Sequence, residues 1–355
     1  MDGVALVYCE GAFNTTNGKT AHGLVRFTER YKITGIIDSH YAGQDAGMAL
    51  DKKANGILVF STISEAVGLL AGDRKPTHLI VGLAPDGGRL PESARTDIRK
   101  AISLGLNVDC GLHDYLSEDK DIASLALSKN VNIRDIRKTP HINDQHFFTG
   151  NIGEVKCLKV AILGTDSAVG KRTTAWMLVH GLRAAGYKAE MIGTGQTAWL
   201  QGAKYSIILD SLIADFMAGE IEHAVYSAWK NERPDVIVIE GQGSLMNPAY
   251  PGGYEILAAG RPDLVVLQHA PARLEYDGFP GFPLQSISHQ IQAIEIVSGK
   301  KVIAITINHE NIPAEDIPLE ARKLKEITGI PAMDILLHGS KELVNSLIPY
   351  IQIQS

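Results

Sequence analysis

The stretch GTDSAVGKRTT, from Gly164 to Thr174, constrains the fold of this chain more than any other segment. An apolar run before it, Leu158–Leu163, predicts a buried strand, and the spacing of apolar residues after it predicts a helix over residues 170–185. A glycine loop between a strand and a helix directs several backbone N–H groups toward one point, where the helix dipole and the Lys171 ammonium add positive charge. The pattern predicts a phosphate-binding loop made of ten residues: Gly164, Thr165, Asp166, Ser167, Ala168, Val169, Gly170, Lys171, Arg172 and Thr173.

This loop departs from the usual G-x-x-x-x-G-K-[ST] pattern at two points. Five residues separate Gly164 from Gly170, and Arg172 follows Lys171 where a Ser or Thr hydroxyl would bind Mg²⁺. A guanidinium only donates hydrogen bonds, and its charge beside a cation costs roughly 4 kcal/mol at 4 Å and an effective dielectric of 20. Since arginine and lysine together neutralise phosphates, we expect a phosphate ligand bound without a metal ion. A loop in which Thr173 takes the metal-binding role, with Mg-ATP as its ligand, is the alternative.

Short strand patterns alternate with helical patterns through the whole chain. With 355 residues, the chain is long enough for two domains, and the alternation is typical of parallel sheets covered by helices on both faces. Predicted helices cover Thr20–Arg30, Ile63–Leu70 and Pro91–Leu104, and the predicted strands are Val4–Tyr8, Ile33–Asp38, Gly56–Phe60, His78–Val81, Asn107–Asp109, Leu158–Leu163, Ala189–Ile192, Val236–Ile239, Leu264–Gln268 and Val302–Ile307.

A stretch rich in turn formers and without periodicity, residues 137–156, marks the domain boundary. We therefore expect an α/β protein with an N-terminal Rossmann-like parallel-sheet domain over residues 1–140 and a C-terminal P-loop NTPase-like α/β domain over residues 150–355. The first domain lacks the G-x-G-x-x-G pattern of dinucleotide-binding folds after its first strand. Asp38 stands where such a fold places a ribose-binding acid, but without those glycines an ordinary strand-end aspartate is the better interpretation.

Charge and cysteine usage exclude several classes of protein. The net charge is −6 with a pI near 6.1, so the chain has no basic surface of the kind that nucleic acid requires. The three cysteines lie far apart and are expected to be reduced thiols in a cytoplasmic protein. No apolar run approaches the roughly 20 residues of a membrane span, and the N-terminus lacks the basic start of a signal peptide.

Four motifs carry a resemblance to a known family. The C-terminal domain resembles dethiobiotin synthetase, because GTDSAVGK is followed by IEGQGSL (residues 239–245) and by Asn308 at a strand end. A wider resemblance, over nearly the whole chain, is to the two-domain P-loop family of the D-glutamate N-acetyltransferase type. It includes two further segments, TGQTAWLQGAKYSIILDSLIADFMAGEIEHA (residues 194–224) and LQHAPARLEYDGFP (residues 267–280).

The resemblance implies a transferase that moves an acetyl group from acetyl-CoA to the amine of an acidic amino acid, D-glutamate in this family. Coenzyme A suits the loop, because it carries a diphosphate and a 3′-phosphate and reacts without hydrolysis of either. We expect small-molecule substrates, no nucleic-acid or membrane partner, and a homo-oligomer. A Mg-ATP-dependent ligase resembling dethiobiotin synthetase, and a non-catalytic sensor of a nucleotide or of CoA, remain open.

Acetyl transfer to an amine requires a base, donors for the developing oxyanion and partners for the substrate carboxylates. The candidate bases are Glu240, which ends a strand beside the loop, and His269, which follows the next strand. A metal-supporting acid and a structural histidine are the alternatives for these two residues. Arg273 is the candidate carboxylate clamp, although a plain surface arginine also fits its position. The other candidate substrate-binding residues are Gln196, Lys204, Gln242 and Tyr276.

Overall fold

Two compact units make up the chain in a computed structural model that describes residues 1–354. The first unit contains residues 1–139 together with residues 196–203. The second contains residues 140–195 and the chain from residue 204 onward. A short segment inside the second half of the sequence therefore belongs to the first unit.

The first unit is built on a six-stranded parallel sheet with the order β3-β2-β1-β4-β5-β6. This is the strand order of a doubly wound Rossmann fold, so the predicted α/β class of this domain is confirmed. The strands are β1 (Gly3–Tyr8), β2 (Tyr31–Ile37), β3 (Leu58–Phe60), β4 (His78–Val81), β5 (Asn107–Cys110) and β6 (Ile133–Asp135).

Helices between these strands cover the sheet: α1 (Lys19–Arg26), α2 (Ala46–Asp51), α3 (Ile63–Leu69), α4 (Glu92–Ser103) and α5 (Lys120–Lys129). The first helix ends four residues earlier than its apolar spacing predicts, because Phe27 adopts extended backbone angles. The apolar spacing did not predict α2, α5 or β6. A strand of three half-buried residues such as Ile133–Asp135 carries too short an apolar run to stand out.

Asp38 has a structural role at the carboxyl edge of this sheet. Its side chain is fully buried and accepts hydrogen bonds from the backbone N–H groups of Phe13, at 2.9 Å, and His40, at 2.9 Å. Both carboxylate oxygens therefore hold the loops that follow β1 and β2, as expected of an ordinary strand-end aspartate.

The second unit contains a seven-stranded sheet in the order β13-β12-β11-β7-β10-β8-β9, and every pairing in it is parallel. Its strands are β7 (Leu158–Gly164), β8 (Ala189–Gly193), β9 (Tyr205–Ser206), β10 (Val236–Glu240), β11 (Leu264–His269), β12 (Val302–Ile307) and β13 (Ala332–Met333). The strand before the phosphate loop, β7, lies at the centre with β10 on one side and β11 on the other. All seven residues of β7 are buried, which explains the apolar run that predicted it.

The helices of the second half are α6 (Lys171–Ala184), α7 (Gln196–Gln201), α8 (Ala214–Glu232), α9 (Tyr254–Ala259), α10 (Ile287–Ser298), α11 (Ile317–Thr328), α12 (Ile335–His338) and α13 (Lys341–Gln354). Among residues 1–354, no helix combines the length and the apolar character needed to cross a membrane. Helix α7 is the segment that belongs to the first unit, where Leu200 is part of the hydrophobic core.

The aperiodic segment after residue 139 packs on α8 within the second unit. Buried Glu222 accepts hydrogen bonds from the backbone N–H groups of Thr149, at 2.6 Å, and Ile152, at 3.0 Å. These contacts outweigh burial and hold the pKa of the Glu222 carboxyl below its usual range. Gly219 lets the segment approach closely, because a β-carbon there would lie 2.1 Å from the carbonyl oxygen of His146.

Candidate functional site: a phosphate loop at the centre of the second sheet

The predicted phosphate loop lies between the ends of three neighbouring parallel strands. It follows β7, and the carboxyl ends of β10 and β11 on either side carry Glu240 and His269. Because parallel strands end at the same edge of a sheet, these candidates meet around the loop. The strand order thus brings together residues that are as far apart in the chain as Thr165 and His269, 104 positions.

The loop has the backbone form of an anion site. Ala168 and Gly170 adopt positive φ angles of 52° and 107°, and no side chain caps the start of α6. The Lys171 ammonium donates hydrogen bonds to the carbonyl oxygens of Asp166 and Gly243, each at 2.7 Å. It therefore lies across the loop, with its side chain folded over the residues that precede the helix.

Lys171 is buried, with only 8% of its surface exposed. A lysine at the start of a helix is ordinarily exposed, so the burial of Lys171 needs a structural reason. The reason is that Gly164 provides room for it: a β-carbon on that glycine would lie 3.0 Å from the lysine nitrogen. The lysine consequently contributes to the packing of the loop as well as to its charge.

Asp166 lies at the floor of the loop and is fully buried. One carboxylate oxygen accepts hydrogen bonds from the Ser167 backbone N–H, at 2.7 Å, and from the Asn247 side-chain amide, at 2.8 Å. The other accepts from Arg273, at 2.9 Å, and from the Asp277 backbone N–H, at 2.8 Å. One buried carboxylate thereby joins the phosphate loop to the loops that follow β10 and β11.

Arg273 is held on two sides by the protein. Its guanidinium pairs with Asp166 and, at 2.8 Å, with Glu310 after β12, and it also donates to the Ser167 carbonyl oxygen at 2.8 Å. The residue predicted to clamp a substrate carboxylate thus faces two carboxylates of its own chain. Burial lowers the pKa of this guanidinium, but the carboxylates of Glu310 and Asp166 outweigh it and leave the pKa above the usual value for arginine.

The hydroxyl of Thr174, in the first turn of α6, is hydrogen-bonded to a residue near the carboxyl end of β11. It donates to the side-chain oxygen of Gln268, which also accepts from the Thr306 hydroxyl at 2.6 Å. Gln268 is the penultimate residue of β11 and is buried. Of the residues that follow Lys171, Arg172 occupies the usual place of the metal-binding hydroxyl and Thr174 is bound to Gln268.

Glu240 is buried at the end of β10 and faces the loop after β8. Its carboxylate accepts a hydrogen bond from the Thr194 backbone N–H at 2.9 Å. Burial raises the pKa of the Glu240 carboxyl, while the positive charge of Arg172 acts in the opposite direction. Gln242 lies in the same cluster, since its amide donates to the Thr194 hydroxyl at 3.0 Å.

His269 lies on the other side of the loop and is bonded to it. Its Nδ1 is 3.0 Å from the hydroxyl of Thr165, and burial lowers the pKa of the imidazole to about 4. The ring is therefore neutral at physiological pH. Asn308, at the end of β12, donates to the Val169 carbonyl oxygen at 3.0 Å and completes this side of the loop.

Three predicted site residues have other surroundings. Lys204 is exposed and forms an ion pair with Glu232. Gln196 belongs to the first unit, where its side-chain oxygen accepts a hydrogen bond from Arg137 at 3.1 Å. Tyr276, three residues after Arg273 in the sequence, is buried, and burial raises the pKa of its phenol.

Sequence reasoning missed several residues that build the site. Thr194 directly follows β8, Gln268 is the penultimate residue of β11 and Glu310 lies three residues beyond β12. Polar residues near strand ends are the signal that identified Glu240 and His269. Asn247 gives no such signal, because it lies well beyond the end of the β10 run and its contact with Asp166 depends on the loop path. Among residues 1–354, no group of three or more His, Cys, Asp or Glu side chains is arranged to hold a metal ion.

Two family models match consecutive parts of the chain. Residues 146–344 match a family model described as a domain of unknown function (DUF1611_C), P-loop domain. Residues 39–139 match the corresponding Rossmann-like domain (DUF1611_N). The chain belongs to the DUF1611 family. The predicted membership of a two-domain family with a Rossmann-like domain followed by a P-loop domain is thereby confirmed.

The fold of this DUF1611 chain is shared with a crystal structure of a DUF1611 family protein from Anabaena variabilis. The two are 25% identical with a TM-score of 0.89, and the match covers 98% of this chain and 100% of the other.

Two curated relatives of this DUF1611 chain are both named D-glutamate N-acetyltransferase. The protein from Tritonibacter scottomollicae is 30% identical over 278 residues, 76% of this chain and 80% of its own length. The protein from a Pseudoalteromonas species is 29% identical over 300 residues, 82% of this chain and 88% of its own length.

Proposed function

We propose that this chain is an N-acetyltransferase that moves the acetyl group of acetyl-CoA to the amine of an acidic amino acid, D-glutamate, giving N-acetyl-D-glutamate. The names of the two relatives support both the reaction class and the substrate, at identities of 30% and 29%. The observation in the site that carries the proposal is that two cationic residues, Lys171 and Arg172, stand next to each other at the helix start of a phosphate loop.

The chemistry of the loop favours a phosphate ligand that is held but not hydrolysed. A magnesium nucleotide site needs a hydroxyl on the metal next to the loop lysine. Here Arg172 stands in that position, and a metal ion would have to take its hydroxyl from Thr173, one residue further along the helix. Two adjacent cations at a helix start suit the diphosphate of CoA, which stays intact during acetyl transfer.

In the proposed reaction, the substrate amine attacks the thioester carbonyl, the carbon–sulfur bond breaks, and CoA leaves as the thiol. The amine arrives as an ammonium ion, so a base takes its proton. We assign this role to Glu240, because burial raises the pKa of its carboxyl and so makes the carboxylate a stronger base, while the charge of Arg172 acts in the opposite direction. His269 is the weaker candidate, since an imidazole whose pKa is about 4 has little affinity for a proton.

A thermal-shift panel with CoA, acetyl-CoA and Mg-ATP tests the proposal. A ligand at about 100 times its Kd stabilises the folded state by roughly 2.7 kcal/mol, which shifts the Tm by several degrees. We expect CoA and acetyl-CoA to raise the Tm in the presence of EDTA. Stabilisation by Mg-ATP alone would reject acetyl transfer and support the ligase alternative.

A Lys171→Ala variant provides the matched control for that panel. The loss of a charge-assisted contact weakens phosphate binding by about 1.5–3 kcal/mol. Because Lys171 also bonds two loop carbonyls, the Tm of the variant without ligand is expected to fall as well. The informative quantity is therefore the ligand-induced shift in each protein, not the Tm itself.

A further inference from the structure

Asp166 presents a physical problem at the proposed phosphate site. Its carboxylate is buried within the loop whose purpose is to attract negative charge. Four hydrogen-bond donors satisfy its oxygens, but three of them, on Ser167, Asn247 and Asp277, are neutral amides. Arg273 is the fourth and supplies a full positive charge.

Arg273 in turn has little capacity left for a ligand. A guanidinium has five N–H groups. Four hydrogen bonds run from Arg273 to protein acceptors: one to Asp166, one to the Ser167 carbonyl and two to Glu310. Its side chain is 10% exposed, whereas that of Glu310 is 38% exposed. The partly exposed carboxylate of Glu310 therefore fixes the plane of the guanidinium, and the buried carboxylate of Asp166 is the one whose charge it neutralises.

We propose that Arg273 is a positioning residue for the phosphate loop: it neutralises Asp166 and ties Ser167 in place, and it does not clamp a substrate carboxylate. Without it, an unpaired carboxylate would lie under the bound phosphates, and a buried charge that loses its partner is strongly unfavourable. The identity of CoA as the test ligand rests on the proposed function. The role of Arg273 rests only on the contacts of the loop.

A double-mutant cycle between Arg273 and Asp166 separates the two roles. The variants are Arg273→Met, Asp166→Asn and the double variant, with Arg322→Met on the exposed face of α11 as a control for loss of an arginine. Calorimetry gives the Kd for CoA, and steady-state rates give the KM for the amino acid at saturating acetyl-CoA. Circular dichroism establishes that each variant is folded.

We expect Arg273→Met to raise the Kd for CoA at least about tenfold, and Asp166→Asn to restore much of that loss in the double variant, because no carboxylate is then left unpaired. The KM for the amino acid should stay within about twofold of the wild-type value in the double variant. A raised amino-acid KM with an unchanged Kd for CoA would overturn the proposal and make Arg273 a substrate clamp. The positioning role is equally rejected if the double variant binds CoA no better than Arg273→Met.

Two further measurements keep the outcome decisive. If Arg273→Met does not fold, Glu310→Gln replaces it, because that change frees one side of the guanidinium at a half-exposed position. An unchanged Kd for CoA together with a raised or lowered amino-acid KM in Glu310→Gln would then count against the proposal. If the wild-type protein does not bind CoA, acetyl transfer from CoA is rejected. The cycle is then run with ADP, and recovery of ADP binding in the double variant would still support the positioning role.

Discussion

At the residue scale, burial beside the phosphate loop favours one of the two candidate bases over the other. Glu240 and His269 end the strands on either side of β7, and both are buried. Burial disfavours the charged form of each group, so it raises the pKa of the acid and lowers that of the histidine. The same physical cause therefore makes the glutamate a better base and the imidazole a worse one.

Replacement of Glu240 by Gln should lower kcat by about 10²–10⁴-fold while the Kd for CoA changes little, because the amide keeps the shape of the side chain but cannot take a proton. The pH profile of kcat/KM gives the second test. In the wild type it should rise through the raised pKa of Glu240, above the ordinary range of a glutamate, and this rise should be absent in the variant. Near-normal kcat in Glu240→Gln would remove Glu240 from the mechanism.

The depressed pKa of His269 has a consequence for stability. In the unfolded chain the imidazole titrates near its ordinary value of 6.5, and in the folded protein near 4. Folding is therefore unaffected by this group above about pH 6.5 and is progressively penalised as the pH falls toward 4, by at most about 3 kcal/mol. Urea unfolding at a series of pH values should show a shallower acid loss for His269→Asn than for the wild type. Equal pH dependence of the two proteins would mean that His269 keeps an ordinary pKa.

At the scale of single elements, close packing decides where glycine is needed in a helix. Gly219 in α8 lies against the backbone of His146, with 2.1 Å between a built β-carbon and the carbonyl oxygen. Gly68 in α3 is also helical, is exposed, and has no atom within 4 Å of the same point. Both glycines are inside helices, but a β-carbon at Gly219 would clash with the backbone and one at Gly68 would lie in open space.

Alanine substitution at these two glycines should therefore have effects of opposite sign. Gly68→Ala is expected to stabilise the protein by about 0.5–1 kcal/mol through helix propensity alone. Gly219→Ala gains the same contribution but must displace the backbone at His146, and a net loss of about 1–3 kcal/mol is expected. Urea denaturation measures both. Stabilisation by Gly219→Ala would show that the segment before β7 is not held against α8.

At the scale of the whole molecule, helix α7 makes the first unit depend on a distant part of the chain. It is encoded after β8 of the second sheet, yet its Leu200 lies in the core of the first unit. The Gln201 side chain donates to the carbonyl oxygens of Gly23 and Phe27, and Thr197 bonds Thr20. The first unit is therefore incomplete without residues 196–203.

A chain that begins at Pro140 should fold poorly by itself, because the apolar side chains of α7 would lose their partners. We expect aggregation in size-exclusion chromatography, with Trp199 and Leu200 exposed to water. The same truncation with Trp199→Ser and Leu200→Ser is the matched control, and it should give a larger soluble fraction. A monodisperse truncated chain that binds CoA as the full chain does would contradict the expectation that α7 needs the first unit to bury its apolar side chains.

The sequence by itself determined the parts of this protein that depend on local pattern. Ten of the thirteen strands in residues 1–354, the helices α1, α3, α4 and α6, the all-parallel class of both sheets and the phosphate loop follow from apolar spacing and from glycines at fixed offsets from Lys171. The candidates Glu240 and His269 were found by one rule, that polar residues at strand ends meet at one sheet edge.

Only the tertiary structure decided which of these groups touch. The pairing of Asp166 with Arg273 joins residues that are 107 positions apart, and it depends on β11 lying next to β7. The burial of Lys171, the depressed pKa of His269 and the membership of α7 in the first unit likewise depend on neighbours that no local pattern specifies. Hydrophobic periodicity records which face of an element is buried, but the order of strands in a sheet and the paths of the loops between them are set by packing over the whole chain.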